Sequence, residues 1–188
     1  SKYFKNLSYF SNTVKADYIL INTNFGCYNS EITLDEAKEH NRGEGTSNIL
    51  ELEKHLKNWD SNWDEAFKYE KQIYKSFVQL TIQLAKINPK IDIVLRPHPV
   101  EKLETYRLHF NNVNNVHIIR EGSVNEWIVN AKVVIHADDC TTGVQAFIAE
   151  KPVISYCPIE DKSMRFSSHL KLSKRIKNSS QLITYVDN

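Results

Sequence analysis

Short apolar runs rich in valine and isoleucine alternate with amphipathic stretches along most of this chain. Five such runs span residues 17–23, 91–95, 116–119, 132–136 and 152–156. Each run is apolar on both faces, which is typical of parallel strands that are covered by helices on both sides. The alternation therefore predicts an α/β fold with a doubly wound, Rossmann-like parallel sheet. We expect about five strands in the order 3-2-1-4-5, with helices on both faces.

Helical periodicity occupies the segments between these strands. The longest predicted helix covers residues 64–87 and ends before Asn88-Pro89, and shorter helices are predicted over 101–110, 124–130 and 141–149. Ser123 is a predicted N-cap, and Thr141 or Thr142 begins the last of these helices. Residues 26–62 are less regular, and part of this long connection should be helical. The basic tail over 162–177 is predicted to be a solvated amphipathic helix; the alternative is contact with another domain, an anionic acceptor or a membrane.

Composition excludes several classes of function. With 24 basic and 23 acidic side chains the net charge is +1, so no nucleic-acid partner is expected. Three cysteines without a C-x-x-C pair indicate a reducing compartment, which predicts a cytoplasmic protein. Peripheral contact with the inner face of the plasma membrane is the alternative location. No apolar run approaches the ~20 residues that span a bilayer. Residues 1–188 are expected to form a single domain and a fragment of a longer two-domain protein; the alternative is a processed full-length chain.

Polar residues follow four of the predicted strands. The first strand is followed by Asn22, Thr23 and Asn24, the second by Arg96-Pro97-His98-Pro99, the third by Arg120-Glu121-Gly122, and the fourth by the segment 136–143. The carboxyl ends of parallel strands meet at one edge of the sheet, and doubly wound sheets bind ligands at that edge where the strand order reverses. The four segments therefore predict one shared ligand site.

The residue types at this edge suit a phosphate-containing ligand. Thr141, Thr142 and Gly143 open a helix whose free N–H groups favour an anion, and capping by threonine is the alternative. His98, held between two prolines, can donate to a phosphate oxygen or a sugar hydroxyl. Arg96 can neutralise phosphate charge or pair with a carboxylate. We therefore predict His98 and Arg96 as the catalytic residues.

Further contacts are predicted for the base and ribose of a nucleotide. Glu121, Gly122 and Gln145 are the candidates, and the alternative for each is an exposed residue without a ligand. Dinucleotide and P-loop glycine motifs do not occur in the sequence. The residues His98, His136, Asp138, Asp139 and Cys140 match no zinc spacing, and a Cys140 nucleophile would lack an orienting partner. We predict no metal and no cofactor other than a nucleotide-sugar co-substrate.

Two long segments resemble a known family. VLRPHPVEKLETY and VHIIREGSVNEWIVNAKVVIHADDCTTGVQAFIAEKPVISYCP are similar to surface carbohydrate biosynthesis proteins, which resemble capsule-type glycosyltransferases including those that transfer Kdo. ILINTNFGCYN also fits, as the first strand and loop. The resemblance covers residues 17–158 and is weak over 29–63. It implies the donor-binding, C-terminal half of a two-domain GT-B architecture, whose missing N-terminal domain would hold a polysaccharide acceptor.

The resemblance also assigns residues. It implies a donor pocket lined by Arg96, His98, Glu121, Thr141 and Thr142. The chain departs from the family pattern at two places: it has an additional residue and two carboxylates at 138–139, and glutamine instead of glutamate at position 145. Two carboxylates beside a phosphate site would repel the ligand unless a cation offsets them.

The predicted function is transfer of a sugar from a nucleotide-activated donor to a capsule or lipopolysaccharide chain. One alternative is an epimerase of the UDP-N-acetylglucosamine 2-epimerase type. That group also has a His-Pro after a strand and a G-x-Q run, which this chain has at 143–145. The group normally continues with a glutamate pair, whereas this chain continues with Ala146-Phe147, which argues against it. The other alternative is a non-catalytic nucleotide-binding domain. The chain alone is expected to bind a nucleotide weakly and to transfer nothing.

Overall fold

The computed structural model describes residues 14, 16–31, 49–137, 140–160 and 172–187. The strands are β1 (Tyr18–Asn22), β2 (Ile93–Arg96), β3 (Val116–Ile118), β4 (Ala131–Ala137), β5 (Val153–Tyr156) and β6 (Lys174–Ile176). The helices are α1 (Ile49–Ile87), α2 (Leu103–Phe110), α3 (Val124–Asn130), α4 (Thr142–Ile148) and α5 (Ser179–Asp187).

The strands form one six-stranded sheet in the order β3-β2-β1-β4-β5-β6, with every neighbouring pair parallel. This confirms the predicted doubly wound α/β fold and the order of the first five strands. The strand order reverses between β1 and β4, in the middle of the sheet. From β1 the chain adds strands toward the β3 edge, and from β4 it adds strands toward the β6 edge.

Strand β6 was not predicted. The interpretation of residues 162–177 as one amphipathic helix is wrong at its end, because Lys174–Ile176 pair with β5 at the edge of the sheet. The strand has three residues, and only Ile176 is buried. So short a strand with a single buried side chain has no two-residue alternation to recognise. Residues 162–171 lie outside the described part of the chain.

Helices cover both faces of the sheet, as predicted. Helices α1, α2 and α5 pack on one face with alternate strand residues, and α3 and α4 pack on the other. In β1 the alternation is plain: Ile19 and Ile21 join the first core, while Tyr18 and Leu20 join the second, which also contains Trp127. Both faces of each central strand are therefore buried, which explains why these strands read as continuous apolar runs.

Helix α1 begins at Ile49 rather than at residue 64, so the irregular connection after β1 is helical in its last part. The helix ends at Ile87, before Asn88-Pro89, as predicted. Ser123 caps α3 by accepting a hydrogen bond from the Asn125 N–H at 3.4 Å. Among the residues described, no helix is both long and apolar enough to cross a membrane.

Candidate functional site

A row of polar side chains crosses the sheet at the carboxyl ends of its strands. Asn22 of β1 is in register with Arg96 of β2 and with His136 of β4, and His136 is in register with Ser155 of β5. Residues in register on parallel strands point to the same face of the sheet. Two residues earlier in these strands are Leu20, Val94, Val134 and Val153, all in the core beneath α3 and α4. The strand-end row (Arg96, Asn22, His136, Ser155) therefore lies on the α3–α4 face.

The strand-end row is buried and contains no carboxylate. All four of its residues are at most 9% exposed. Asn22 stands in the middle, on the central strand and at the point where the strand order reverses. It is 4% exposed, and its Nδ2 atom makes no hydrogen bond.

Contacts at both ring nitrogens hold His136 in place. Its Nδ1 lies 2.6 Å from the carbonyl oxygen of Ala137, and its Nε2 lies 2.8 Å from Oγ of Ser173. A carbonyl oxygen only accepts, so Nδ1 carries a proton, while Nε2 shares a hydrogen bond with the Ser173 hydroxyl, which can donate or accept. A Cβ on Gly143 would lie 2.5 Å from this Nε2. Gly143 therefore allows the close approach of His136, and its predicted contact with a ligand stays a prediction.

The residues before and within α4 have distinct environments. Thr142 is 8% exposed, and its hydroxyl accepts a hydrogen bond from Sγ of Cys140 at 3.1 Å. Thr141 is exposed and makes no side-chain capping bond, so the alternative of capping by Thr141 is wrong. Its backbone is already helical, which places the hydroxyl away from the geometry of an N-cap. Gln145 lies half-buried one turn into α4. The contacts of Thr141, Thr142 and Gln145 with a nucleotide sugar stay predictions.

Arg96 holds the loop that follows β3. Its guanidinium donates to the carbonyl oxygens of Glu121 at 2.7 Å, Gly122 at 2.9 Å and Arg120 at 3.2 Å, and it lies over the Trp127 ring at 5.7 Å. Burial lowers the pKa of Arg96, and the negative charge of Glu121 opposes this shift. The guanidinium stays protonated because its ordinary pKa is so high. These contacts give Arg96 a positioning role, and its predicted catalytic contact with phosphate stays a prediction.

The loop after β3 depends on a glycine. Gly122 has φ +75°, which a side chain would strain, and a Cβ there would lie 3.0 Å from Oε2 of Glu126. The Glu121 carbonyl also accepts from the indole N–H of Trp127 at 2.9 Å. The backbone is thus held from within, while the Glu121 carboxylate is exposed and accepts only from the Arg120 N–H, at 3.1 Å, among the bonds described. Its contact with base or ribose stays a prediction.

The turn that carries His98 is held by a buried carboxylate that the sequence did not reveal. Glu101 is 0% exposed, and its Oε1 accepts from the His98 backbone N–H at 2.8 Å and from the Thr23 hydroxyl at 2.7 Å. Its Oε2 accepts from the Tyr106 hydroxyl at 2.5 Å. Burial, and then the neighbouring Glu101, raise the pKa of Tyr106 well above its usual value. The predicted helix over 101–110 begins only at Leu103, which frees Glu101 to turn inward.

Glu101 joins three strand-end loops. Thr23 follows β1, His98 follows β2, and the guanidinium of Arg120, after β3, donates to the backbone carbonyl of Glu101. Thr23, predicted as a ligand contact, therefore has a structural role as well, because its hydroxyl donates to Glu101 and lies 3.2 Å from the Tyr106 hydroxyl.

The imidazole of His98 is exposed, and its Nδ1 lies 3.5 Å from the Val100 backbone nitrogen. Its catalytic role stays a prediction. The predicted residues all follow the carboxyl ends of parallel strands, so they share one edge of the sheet. Within that edge the structure joins Thr23 to the His98 turn, Arg96 to Glu121 and Gly122, and His136 to Gly143. Asn24 lies half-buried after β1. The two carboxylates at 138–139 lie outside the described residues.

Comparison with known proteins gives a distant likeness among solved structures. No protein-family model and no curated protein matches the chain. Among solved structures it is similar to "E. coli heptosyltransferase WaaC with ADP", with 15% identity and a TM-score of 0.45 over 96% of this chain and 45% of that one. The chain thus spans under half the length of that structure. Identity and structural agreement of this size do not carry a function from one protein to another.

Proposed function

We propose that this chain is the nucleotide-sugar-binding unit of a glycosyltransferase that builds a surface polysaccharide, either capsule or lipopolysaccharide. The observation that carries the proposal is the strand-end row at the reversal point between β1 and β4. Open doubly wound sheets bind their ligands at this position. The row is polar, buried and without a carboxylate, so it favours an anionic ligand over a cationic one. The resemblance of residues 17–158 supplies the class of ligand.

In this proposal, the side chains at the edge have two kinds of role. His98, Glu121 and Thr142 contact the donor, whereas Arg96 and Glu101 hold the loops that carry them. Transfer breaks the bond between the anomeric carbon and the donor's phosphate, and the phosphate departs with the bonding electrons. An N–H donor of His98 would stabilise the charge that develops there. The acceptor, and the base that removes its proton, would come from a second domain.

Calorimetry with CMP, UDP, GDP and their sugar conjugates tests the proposal. We expect the chain to bind one nucleotide class with a dissociation constant on the order of 0.1–1 mM, which corresponds to about 4–5.5 kcal/mol. Binding is weak because only one side of the ligand is buried. Absence of binding at millimolar concentration would contradict the proposal. Turnover by this chain alone would contradict the division of the site between two domains, and NMR of the incubated sugar nucleotide would show whether any product is an epimer.

Substitutions at Thr142 and at His98, each with its own control, test where the ligand binds. Thr142→Glu should abolish binding, because a carboxylate would then repel the donor's phosphate, while Thr142→Ser should retain it. Since Thr142 is buried, thermal unfolding of both variants must be measured beside the calorimetry. His98→Gln changes an exposed side chain and should weaken binding about tenfold, equal to ~1.4 kcal/mol. The matched control is His109→Gln: His109 is also exposed but lies in the last turn of α2, toward the amino ends of the strands. Equal losses in both histidine variants would argue against a site at the carboxyl edge.

A further inference from the structure

We infer that the side-chain amide of Asn22 donates a hydrogen bond to a phosphate oxygen of the bound ligand, and that the empty protein is less stable because this amide has no partner. The inference deepens the proposed function and rests on it for the identity of the ligand. It names the atom of the protein that recognises the phosphate.

The first observation is the environment of the amide. Asn22 is 4% exposed and its Nδ2 makes no hydrogen bond. Buried N–H groups in proteins nearly always have a partner, and an unpaired one destabilises the folded state. The neighbours in the strand-end row use their polar atoms elsewhere: Arg96 on the carbonyls of residues 120–122, and His136 on Ala137 and Ser173.

The second observation is the position of Asn22. It is the last residue of β1, one of the two middle strands, at the reversal point where doubly wound sheets bind their ligands. Tyr18 and Leu20, earlier on the same face of the strand, are packed in an apolar core. An apolar residue at position 22 would continue that core without an unsatisfied group. An unsatisfied polar residue at a position where packing favours an apolar one is typical of a functional site.

The chemistry of the row identifies the partner. An amide nitrogen only donates, so its partner must be an acceptor. Asn22 lies between the permanent cation of Arg96 and the ring of His136, and no carboxylate belongs to the row. The guanidinium of Arg96, beside Asn22 in the row, therefore favours a negatively charged oxygen at this position. In a nucleotide sugar, such oxygens belong to the phosphate groups, whereas the sugar and base present neutral acceptors.

The test compares Asn22→Leu with a matched control. Asn29 is also 4% exposed, but its Nδ2 donates to the Lys102 carbonyl at 3.1 Å and its Oδ1 accepts from Thr105 at 2.6 Å. Without ligand, Asn22→Leu should melt at the same temperature as the wild type or higher, while Asn29→Leu should melt lower. A lower melting temperature for Asn22→Leu would show that the amide is satisfied in the empty protein, and would overturn the inference.

Binding is then measured with inorganic pyrophosphate and with the nucleotide that binds the wild type. Asn22→Leu should lose at least tenfold in affinity for both, and Asn22→Asp should lose more, because its carboxylate faces the phosphate. Unchanged binding in Asn22→Leu, or retained binding in Asn22→Asp, would overturn the inference while leaving the proposed function intact. If the wild type binds pyrophosphate but no nucleotide, and Asn22→Leu loses pyrophosphate, then the proposed function is wrong and the assignment of Asn22 to phosphate stands. If the wild type binds neither, both are wrong.

Discussion

The buried carboxylate of Glu101 offers the clearest test of how the candidate site is held together. Three groups donate to it: the His98 backbone N–H at 2.8 Å, the Thr23 hydroxyl at 2.7 Å and the Tyr106 hydroxyl at 2.5 Å. A hydrogen bond to a charged group contributes about 1.5–3 kcal/mol, and the three are not additive. Glu101→Ala removes the carboxylate that accepts from all three donors, in a fully buried position. We expect it to lower the free energy of unfolding by roughly 3–5 kcal/mol.

Glu101→Gln should be much milder, because the network can rearrange around an amide. The glutamine oxygen can keep the two bonds made at Oε1, from His98 and Thr23. Its NH2 group can donate to the Tyr106 oxygen, whose own proton then turns to Oγ of Thr23, 3.2 Å away. Only the assistance of the negative charge is lost, so we expect a cost of about 1–2 kcal/mol.

Urea unfolding of both variants measures these costs, provided that the m-value stays that of the wild type. Hydrogen exchange at the His98 amide adds a local readout: protection should survive in Glu101→Gln and disappear in Glu101→Ala. Equal destabilisation by the two substitutions would refute the rearrangement. A cost below about 0.5 kcal/mol for Glu101→Ala would be no larger than that of a typical surface substitution. It would show that the network does not stabilise the folded protein.

Two further predictions concern a glycine and a cysteine. Gly143→Ala should destabilise the protein by about 1–3 kcal/mol in thermal or urea unfolding, because its Cβ would lie 2.5 Å from Nε2 of the buried His136. The control Gly26→Ala meets only the end of an exposed valine side chain and should stay within about 0.5 kcal/mol; the reverse ranking would contradict the packing argument. Burial, and then Glu70, raise the pKa of Cys27 from 9.0 to about 12, so at pH 8 its thiolate fraction is about a thousandfold lower than that of an unburied thiol. Site-resolved alkylation should therefore be slow at pH 8 and rise about tenfold per pH unit. Glu70→Gln should speed the reaction, and ordinary reactivity of the wild-type thiol would contradict the shift.

The sequence predicts the fold well where burial produces a pattern. Strands β1 to β5 are covered on both faces, so each appears as a continuous apolar run, and their alternation with helices leads directly to the order of the sheet. Strand β6 lies at the edge and buries only Ile176, so it leaves no pattern. The last turn of α1 is marked by Pro89, whereas its start at Ile49 was not predicted, although Asn48 with Glu51 three residues later is a typical helix start.

The sequence predicts which residues share one edge of the sheet, but not which of them contact each other. A strand end can be found from local sequence, but partners cannot: Glu101 meets Thr23 across 78 residues, and Arg96 meets Glu121 across 25. The unsatisfied amide of Asn22 is equally hidden, because it depends on what three adjacent strands place around one atom. Glu101 could have been suspected from one signal, a carboxylate that follows R-P-H-P directly and lies within reach of that turn.

The two outer strands of the sheet limit how this protein can associate with others. Both β3 and β6 have only three residues, and β6 carries Lys174, which covers the Tyr185 ring at 3.8 Å, and Arg175, which pairs with Glu160. An outer strand with unpaired backbone groups is a template on which another chain can add a strand, and short, charged strands are poor templates. We therefore expect the protein to resist aggregation through strand addition, and any partner domain to dock against loops or helices rather than to extend the sheet.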